Sequence, residues 1–178
     1  MKANLFHELK GKHIYFKTLG ESDVQEIHHF ASDADVSRFI GWRLMQSLDE
    51  TEAYIGELIK RETAGTHLYA SIVLKATDKI IGTAMMFNFD KEANHGEIGY
   101  VFHKDYWGQG YGTEAVTLMK DFAFQSLKLN KIHARVVDAN IGSYRVLEKN
   151  GFDLEGRFKD YYFIEGNYYD GLFFGKLT

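Results

Sequence analysis

Tyr106-Trp107-Gly108-Gln109-Gly110-Tyr111-Gly112-Thr113 is the stretch on which the fold of this chain turns. It lies between a strand-like run, Glu97-Ile98-Gly99-Tyr100-Val101-Phe102, and a segment from about Gly112 to Leu127 with Ala115, Leu118, Met119 and Phe122 on one helical face. A helix N-terminus offers unpaired N–H groups and the positive end of the helix dipole. Glycines remove the Cβ atoms that would hold an anion away. Strand, glycine turn and helix together describe a cradle for phosphate or pyrophosphate. A P-loop needs a lysine that this turn lacks. A dinucleotide fingerprint needs glycine where Thr113 stands. A plain glycine turn before a helix is the competing reading of the glycines alone.

Outward from the turn, the periodicity alternates between strand and helix. Toward the N-terminus, Tyr69 to Lys75 and Ile80 to Asn88 read as strands around Thr77-Asp78-Lys79. Gly96 and Gly99 hint at a bulge or a close backbone approach. Ser47-Leu48-Asp49-Glu50 has the capping-box form before Ile55, Leu58 and Ile59, with a stop at Gly65. Ser22-Asp23-Val24-Gln25 has the same form before Ile27 and Ala31, and His13 to Lys17 reads as a first strand. Between them, a short helix is placed around Val36 to Ile40. Toward the C-terminus, Lys131 to Val137 alternates as a strand, and Ser143 to Lys149 is a short helix ended by Asn150-Gly151. Phe152 to Leu177 reads as two aromatic-rich strands joined near Glu165-Gly166-Asn167. This order predicts an α/β domain around a mixed sheet, with hairpins in the middle and at the end.

With 178 residues and no composition break, one domain spanning 1–178 is expected. The absence of cysteine removes disulfides, thiolate metal sites and any cysteine-linked acyl-enzyme. It also fits a reducing compartment, and a cytoplasmic protein is expected. Net charge is −4 with no Lys/Arg stripe, so no nucleic-acid partner is expected; the mild negative balance favours cationic partners. Met1 to Glu8 holds no apolar run suited to a signal peptide, and no run of about 18 apolar residues predicts a membrane span. His28 and His29 point to different helix faces, so no metal site is expected with Asp33 and Asp35.

Glu97-Ile98-Gly99-Tyr100, followed by Tyr106 to Ala115, closely resembles the coenzyme A loop of the GNAT-type N-acetyltransferases. Asn140-Ile141-Gly142-Ser143-Tyr144-Arg145-Val146-Leu147-Glu148-Lys149-Asn150-Gly151-Phe152 resembles the second half of that site. Glu155-Gly156 and Asp170-Gly171-Leu172 resemble the branch that acetylates the N-termini of ribosomal proteins. The resemblance is strong from Ile80 to Thr178 and vague before it, where these enzymes build the acceptor pocket. It implies a single-domain α/β (α+β) fold: a mixed, mostly antiparallel sheet of about six or seven strands, splayed in the middle and flanked by about four helices. It implies acetyl-coenzyme A as co-substrate and no metal. Pantetheine would lie in the splay against Tyr100, Val101 and Phe102; backbone N–H groups of Gln109, Gly110, Tyr111, Gly112 and Thr113 would hold the pyrophosphate, and Asn140 would reach the pantetheine arm. The wider superfamily often has Gln or Arg where this chain has Trp107, so a side-chain phosphate contact is lost; tryptophan is usual in the ribosomal-protein branch. A homodimer is implied by that branch alone.

A protonated amine cannot attack a thioester. Deprotonation at neutral pH costs an α-amine about one pKa unit and a lysine-like amine about three. A carboxylate base and a hydroxyl able to protonate the leaving thiolate would help, and with no cysteine direct transfer in a ternary complex is the simpler route. Glu97 is the candidate base, against the alternative of a solvated strand-end carboxylate. Ser143 is the candidate acid: the tyrosine that many superfamily members carry later in this helix is Leu147 here, and the ribosomal branch has a serine in this place. Its alternative role is helix capping, and Tyr144 is a fallback acid or a packing residue. A backbone N–H near Val101 would polarise the carbonyl. Trp42, with Phe39 and Leu44, is the candidate acceptor wall, and Glu155, Asp160, Glu165 and Asp170 are candidates for steering a cationic acceptor. The expected function is acetylation of a protein N-terminal α-amine, with a ribosomal-protein N-terminus as partner. Acetylation of a polyamine, aminoglycoside or amino sugar, and a non-catalytic coenzyme A-binding module, are the alternatives.

Overall fold

The computed structural model describes residues 3–41 and 43–178. Helices α1 (Ala3–Phe6), α2 (Val24–Ala31), α3 (Ala34–Ser37) and α4 (Leu48–Thr63) surround strand β1 (Ile14–Thr18) in the first third of the chain. There follow β2 (Leu68–Leu74), β3 (Lys79–Asp90), β4 (His95–Phe102), α5 (Tyr111–Asp121), β5 (Lys131–Val137), α6 (Ile141–Lys149), β6 (Asp153–Ile164) and β7 (Asn167–Leu177). All seven strands form one sheet in the order β1-β2-β3-β4-β5-β7-β6, antiparallel except where β4 meets β5. Among the described residues there are six α-helices rather than about four. The extra two, α1 and α3, have four residues each, too few to imprint a helical period on the sequence. None of these helices is long and apolar enough to cross a membrane.

Strand β2 shows why the central residues read as an unbroken apolar run. Leu68, Ala70, Ile72 and Leu74 point into a core shared with Phe6, Phe16, Phe122 and Phe174. Tyr69 and Val73 point into a second core with Ile27, Phe30 and Ile55, beneath α2 and α4. A strand covered on both faces has no polar face to show. Each fully buried aliphatic or phenyl side chain contributes about 1.5–3 kcal/mol.

Helix starts differ in detail from the capping boxes expected. Ser47 Oγ accepts from Glu50 N at 3.2 Å, as expected, and Glu50 turns back to accept from Gln46 N. Ser22 caps nothing. A short 3₁₀ turn, Glu21–Asp23, leads into α2, and the Asp23 carboxylate accepts from Gly20 N, Lys17 Nζ and Ser71 Oγ. That carboxylate is buried, so its partners satisfy it there. The glycines of β4 mark close packing rather than a bulge of their own: a Cβ on Gly99 would stand 3.0 Å from Met85 Cγ. The irregularity lies opposite, in β3 between Phe87 and Asp90, where Asn88 takes φ +50°. At its C-terminal end α5 runs on into a wider π turn, Phe122–Ser126.

Candidate active site

Strands β4 and β5 pair only at His95–Lys131, Gly96–Ile132 and Glu97–His133, then part. Beyond Glu97, β4 is held on one side alone, by β3. His103 N donates to Ile81 O, and antiparallel alternation carries this pattern back along the strand. The peptide groups of Gly99 and Val101 therefore face β3, and those of Tyr100 and Phe102 face the gap. Val101 is thus corrected in two of its expected roles. It lines the gap, but its amide is turned away and can neither pair with a ligand nor polarise a carbonyl there. Of the cleft-facing groups, Phe102 O is already taken by Trp107 Nε1 at 2.8 Å. Trp107 pins the glycine turn to the end of β4, a job the sequence did not suggest.

The turn is shaped by two left-handed glycines, Gly108 at φ +73° and Gly110 at φ +89°, and Gly110 is the N-cap of α5. A side chain at either position would be strained. A Cβ built on them meets nothing within 4 Å, so the turn is open on that side. Gly112 packs inward, where a Cβ would come 3.2 Å from Val146 Cγ2 on α6. Among the described residues, the backbone N–H groups from Gly108 to Thr113 donate to no carbonyl. They border a cavity of about 600 Å³ that runs between α5 and α6 and has Arg145 and Lys149 on its wall. Bare amides at a helix start, glycines in place of Cβ atoms and two cationic side chains fit an extended, phosphate-bearing ligand.

Ser143 lies in the first turn of α6. The capping role belongs to Asn140, whose Oδ1 accepts from Ser143 N at 3.2 Å. That leaves Ser143 Oγ uninvolved in the cap, and it sits 2.8 Å from Tyr100 Oη. Burial pushes the Tyr100 phenol up, against the pull of the Ser143 hydrogen bond, so the phenol keeps its proton. Tyr144, the fallback acid, packs edge-on against Phe174 with ring centroids 5.3 Å apart. Asn140 Oδ1 is engaged in the cap, which leaves its amide nitrogen and the oxygen's second lone pair for a ligand.

Glu97 is not a solvated strand-end carboxylate; it is 4% exposed. Arg135 Nε and Nη2 donate to its two oxygens at 2.7 and 3.2 Å, and Asn88 Nδ2 donates at 2.9 Å. His133 Nε2 stands 3.6 Å from Oε2. Burial alone would raise the carboxyl, but hydrogen bonds from His133, Arg135 and Asn88, with the guanidinium charge, hold it at about 2. Such a group is a poor direct base. Taking a proton from an α-amine of pKa near 8 onto a carboxylate at about 2 is uphill by about six units, or about 8 kcal/mol. The expectation of Glu97 as a direct proton acceptor is therefore corrected: its register with β5 delivers it to Arg135.

A second cavity, of about 630 Å³, opens on the α2–α4 face and reaches Glu97, Arg135 and Tyr162. Seven of the described residues line both, Tyr100, Asn140 and Ser143 among them, so the two adjoin along a wall that includes Ser143. Phe39 lines both and packs edge-on against Tyr169. Of the other two proposed wall residues, Leu44 lines neither cavity and Trp42 lies outside the described residues. The acidic residues of the last two strands do not line this cavity. Glu155 pairs with Lys131, Asp170 with Arg157, and Glu165 with Arg38. Arg135, Arg38 and the Tyr100 hydroxyl were missed in the sequence. The strand alternation of Lys131 to Val137 was a usable signal for Arg135, since it puts His133 and Arg135 on the face of Glu97 once β4 and β5 are neighbours.

The chain matches the family model described as "Acetyltransferase (GNAT) domain" over residues 13–153. It is 30% identical to the uncharacterized N-acetyltransferase p20 of Bacillus licheniformis, over 87% of each chain. It is 35% identical to YjcK of Bacillus subtilis, named as a probable N-acetyltransferase, over 83% of this chain and 84% of that one. Two solved structures share the fold. The ribosomal L7/L12 α-N-protein acetyltransferase RimL, in complex with coenzyme A, aligns with a TM-score of 0.83 at 19% identity, covering 94% of this chain and 95% of that chain. Spermidine N-acetyltransferase from Vibrio cholerae, in complex with CoA and spermine, aligns at 0.82 and 20% identity, covering 94% and 96%. A seven-stranded sheet parted between β4 and β5, the bare-amide turn that opens α5 and this family match lead to one conclusion: the chain belongs to the GNAT acetyltransferase family and is an N-acetyltransferase.

Proposed function

We propose that residues 1–178 act as one catalytic domain, in the cytoplasm, that transfers acetyl from acetyl-coenzyme A to the α-amine of a protein N-terminus. The observation that carries this reading is that two cavities adjoin along a wall that includes Ser143, one bordered by bare amides and one by Glu97 and Arg135. The amides from Gln109 to Thr113 hold the pyrophosphate, with Arg145 and Lys149 beside it. The cleft-facing groups of Tyr100 and Phe102 pair with the pantetheine arm, and the Asn140 amide nitrogen is within that wall. Acetyl-coenzyme A supplies a thioester whose carbonyl carbon is open to attack and whose sulfur can leave.

The choice of an α-amine follows from the base. With Glu97 held at about 2, no strong proton acceptor faces the cavity from that strand. About a tenth of an α-amine is free base at pH 7, against about a thousandth of a lysine-like amine. An α-amine therefore needs only solvent to take its proton. The free amine nitrogen bonds to the acyl carbon, the carbon–sulfur bond breaks, and Ser143 passes a proton to the departing sulfur while recovering, through solvent, the proton that the new amide nitrogen sheds. Tyr100 Oη, 2.8 Å from Ser143 Oγ and 3.3 Å from the Ser143 carbonyl oxygen, fixes the serine hydroxyl at the mouth of the gap. The deciding experiment measures free thiol released from acetyl-coenzyme A across N-terminal peptides, polyamines and aminoglycosides. Peptides should be turned over best. A chain that binds acetyl-coenzyme A and releases thiol with none of them is a binding module.

A further inference from the structure

We propose that the acceptor cavity selects an α-amine with negative charge close behind it, namely a peptide N-terminus with acidic side chains at its second and third residues. This rests on the reading that the cavity at Glu97 is the acceptor side. Among the described residues, three guanidinium groups line that cavity, from Arg38 (which borders the first cavity as well), Arg43 and Arg135, and one carboxylate, Glu97. Glu97 cannot serve an incoming cation, because both its oxygens are held by Arg135 and one also by Asn88. Arg135 commits Nε and Nη2 to Glu97 and also meets Tyr161, but its five N–H donors exceed those partners and its side chain is 37% exposed. Arg43 is exposed and has no carboxylate partner among the described residues. Arg38 pairs with Glu165 at 3.1 Å, with both side chains well exposed. A rim pair of this kind is weak enough for a ligand carboxylate to displace.

The cavity is thus locally positive in a chain whose net charge is −4. A polyamine brings a second and third ammonium into that field with no free carboxylate to meet them. A peptide carboxylate meets a guanidinium fork suited to it in geometry and charge. The aromatic wall from Phe39, Phe87 and Tyr162 accommodates the peptide's apolar parts.

The test is thiol release from acetyl-coenzyme A with three peptides that begin with serine and differ only at residues 2 and 3, as Asp-Glu, Ala-Ala or Lys-Lys, with spermidine and free aspartate alongside. We expect kcat/KM to fall from acidic to neutral to basic by at least about tenfold overall, with spermidine slowest and the spread compressed in high salt. Free aspartate should trail the acidic peptide, since its two carboxylates sit on the same residue as the amine and it has no backbone to carry them to residues 2 and 3. Arg43→Glu should narrow or reverse the order while leaving the acetyl-coenzyme A Kd unchanged; Arg43→Gln should flatten it. Spermidine or the Lys-Lys peptide as best substrate overturns the charge preference and leaves acetyl transfer standing. So does an order untouched by Arg43→Glu. Failure of every amine, in a protein that binds acetyl-coenzyme A, overturns the transfer reading and the preference with it.

Discussion

Glu97→Gln keeps the shape of the side chain and removes the charge that Arg135 holds. The carboxyl is moved from 4.5 to about 2 by folding, a difference worth about 3 kcal/mol at neutral pH. The folded value lies below the unfolded one, so this stability is fully present above pH 4.5 and is lost as pH falls toward about 2. Urea unfolding of both proteins from pH 8 to pH 4 should therefore show a gap of about 3 kcal/mol at pH 7 that is about 1 kcal/mol smaller at pH 4. Activity provides an independent reading. With solvent taking the proton, the acid limb of kcat/KM follows the amine's own pKa, and the variant should lose rate by the same factor at every pH. A stability gap that stays constant down to pH 4 would refute the depressed carboxyl. An acid limb that the variant loses would restore Glu97 as the base.

Gly110→Glu places a carboxylate beside the bare amides at a φ of +89°, and acetyl-coenzyme A binding measured by calorimetry should vanish; retained affinity removes the pyrophosphate assignment. Ser143→Ala should lower kcat by roughly 10²-fold with the acetyl-coenzyme A Kd unchanged, and a change confined to KM would make Ser143 a binding residue instead. Trp107→Phe removes the bond to Phe102 O, about 1 kcal/mol of loop anchoring, and should weaken acetyl-coenzyme A binding several-fold while kcat holds; an unchanged Kd means the turn is rigid without it.

The strands were legible because burial writes itself into the sequence. Lys131 to Val137 alternates, with Ile132, Ala134 and Val136 buried, and its bounds were read without error. The glycine turn was legible because Gly108 and Gly110 occupy backbone conformations that other residues resist. Roles fixed by register were not legible. Whether Glu97 meets water or Arg135 depends on β4 and β5 pairing in parallel, and sequence spacing is silent about that. Ser143 could be separated from its capping role only by seeing Asn140 take it. Alternation could have turned the Val101 amide away from the gap, had the partner of His103 been known. The acceptor wall was hardest. Arg38 and Phe39 sit just past a four-residue helix, where no periodicity guides the eye.

Mechanically, three residue pairs are a short seam between a leaf of four strands and a leaf of three. The backbone bonds missing beyond Glu97 are those that would resist the leaves opening like a book. On the proposed binding mode, a donor substrate threaded along the free edge of Tyr100 and Phe102 would replace those bonds and stiffen the molecule while bound. On the same reading, departure of the spent thiol would unlatch that spine, and loosening of the sheet and product release would be one event.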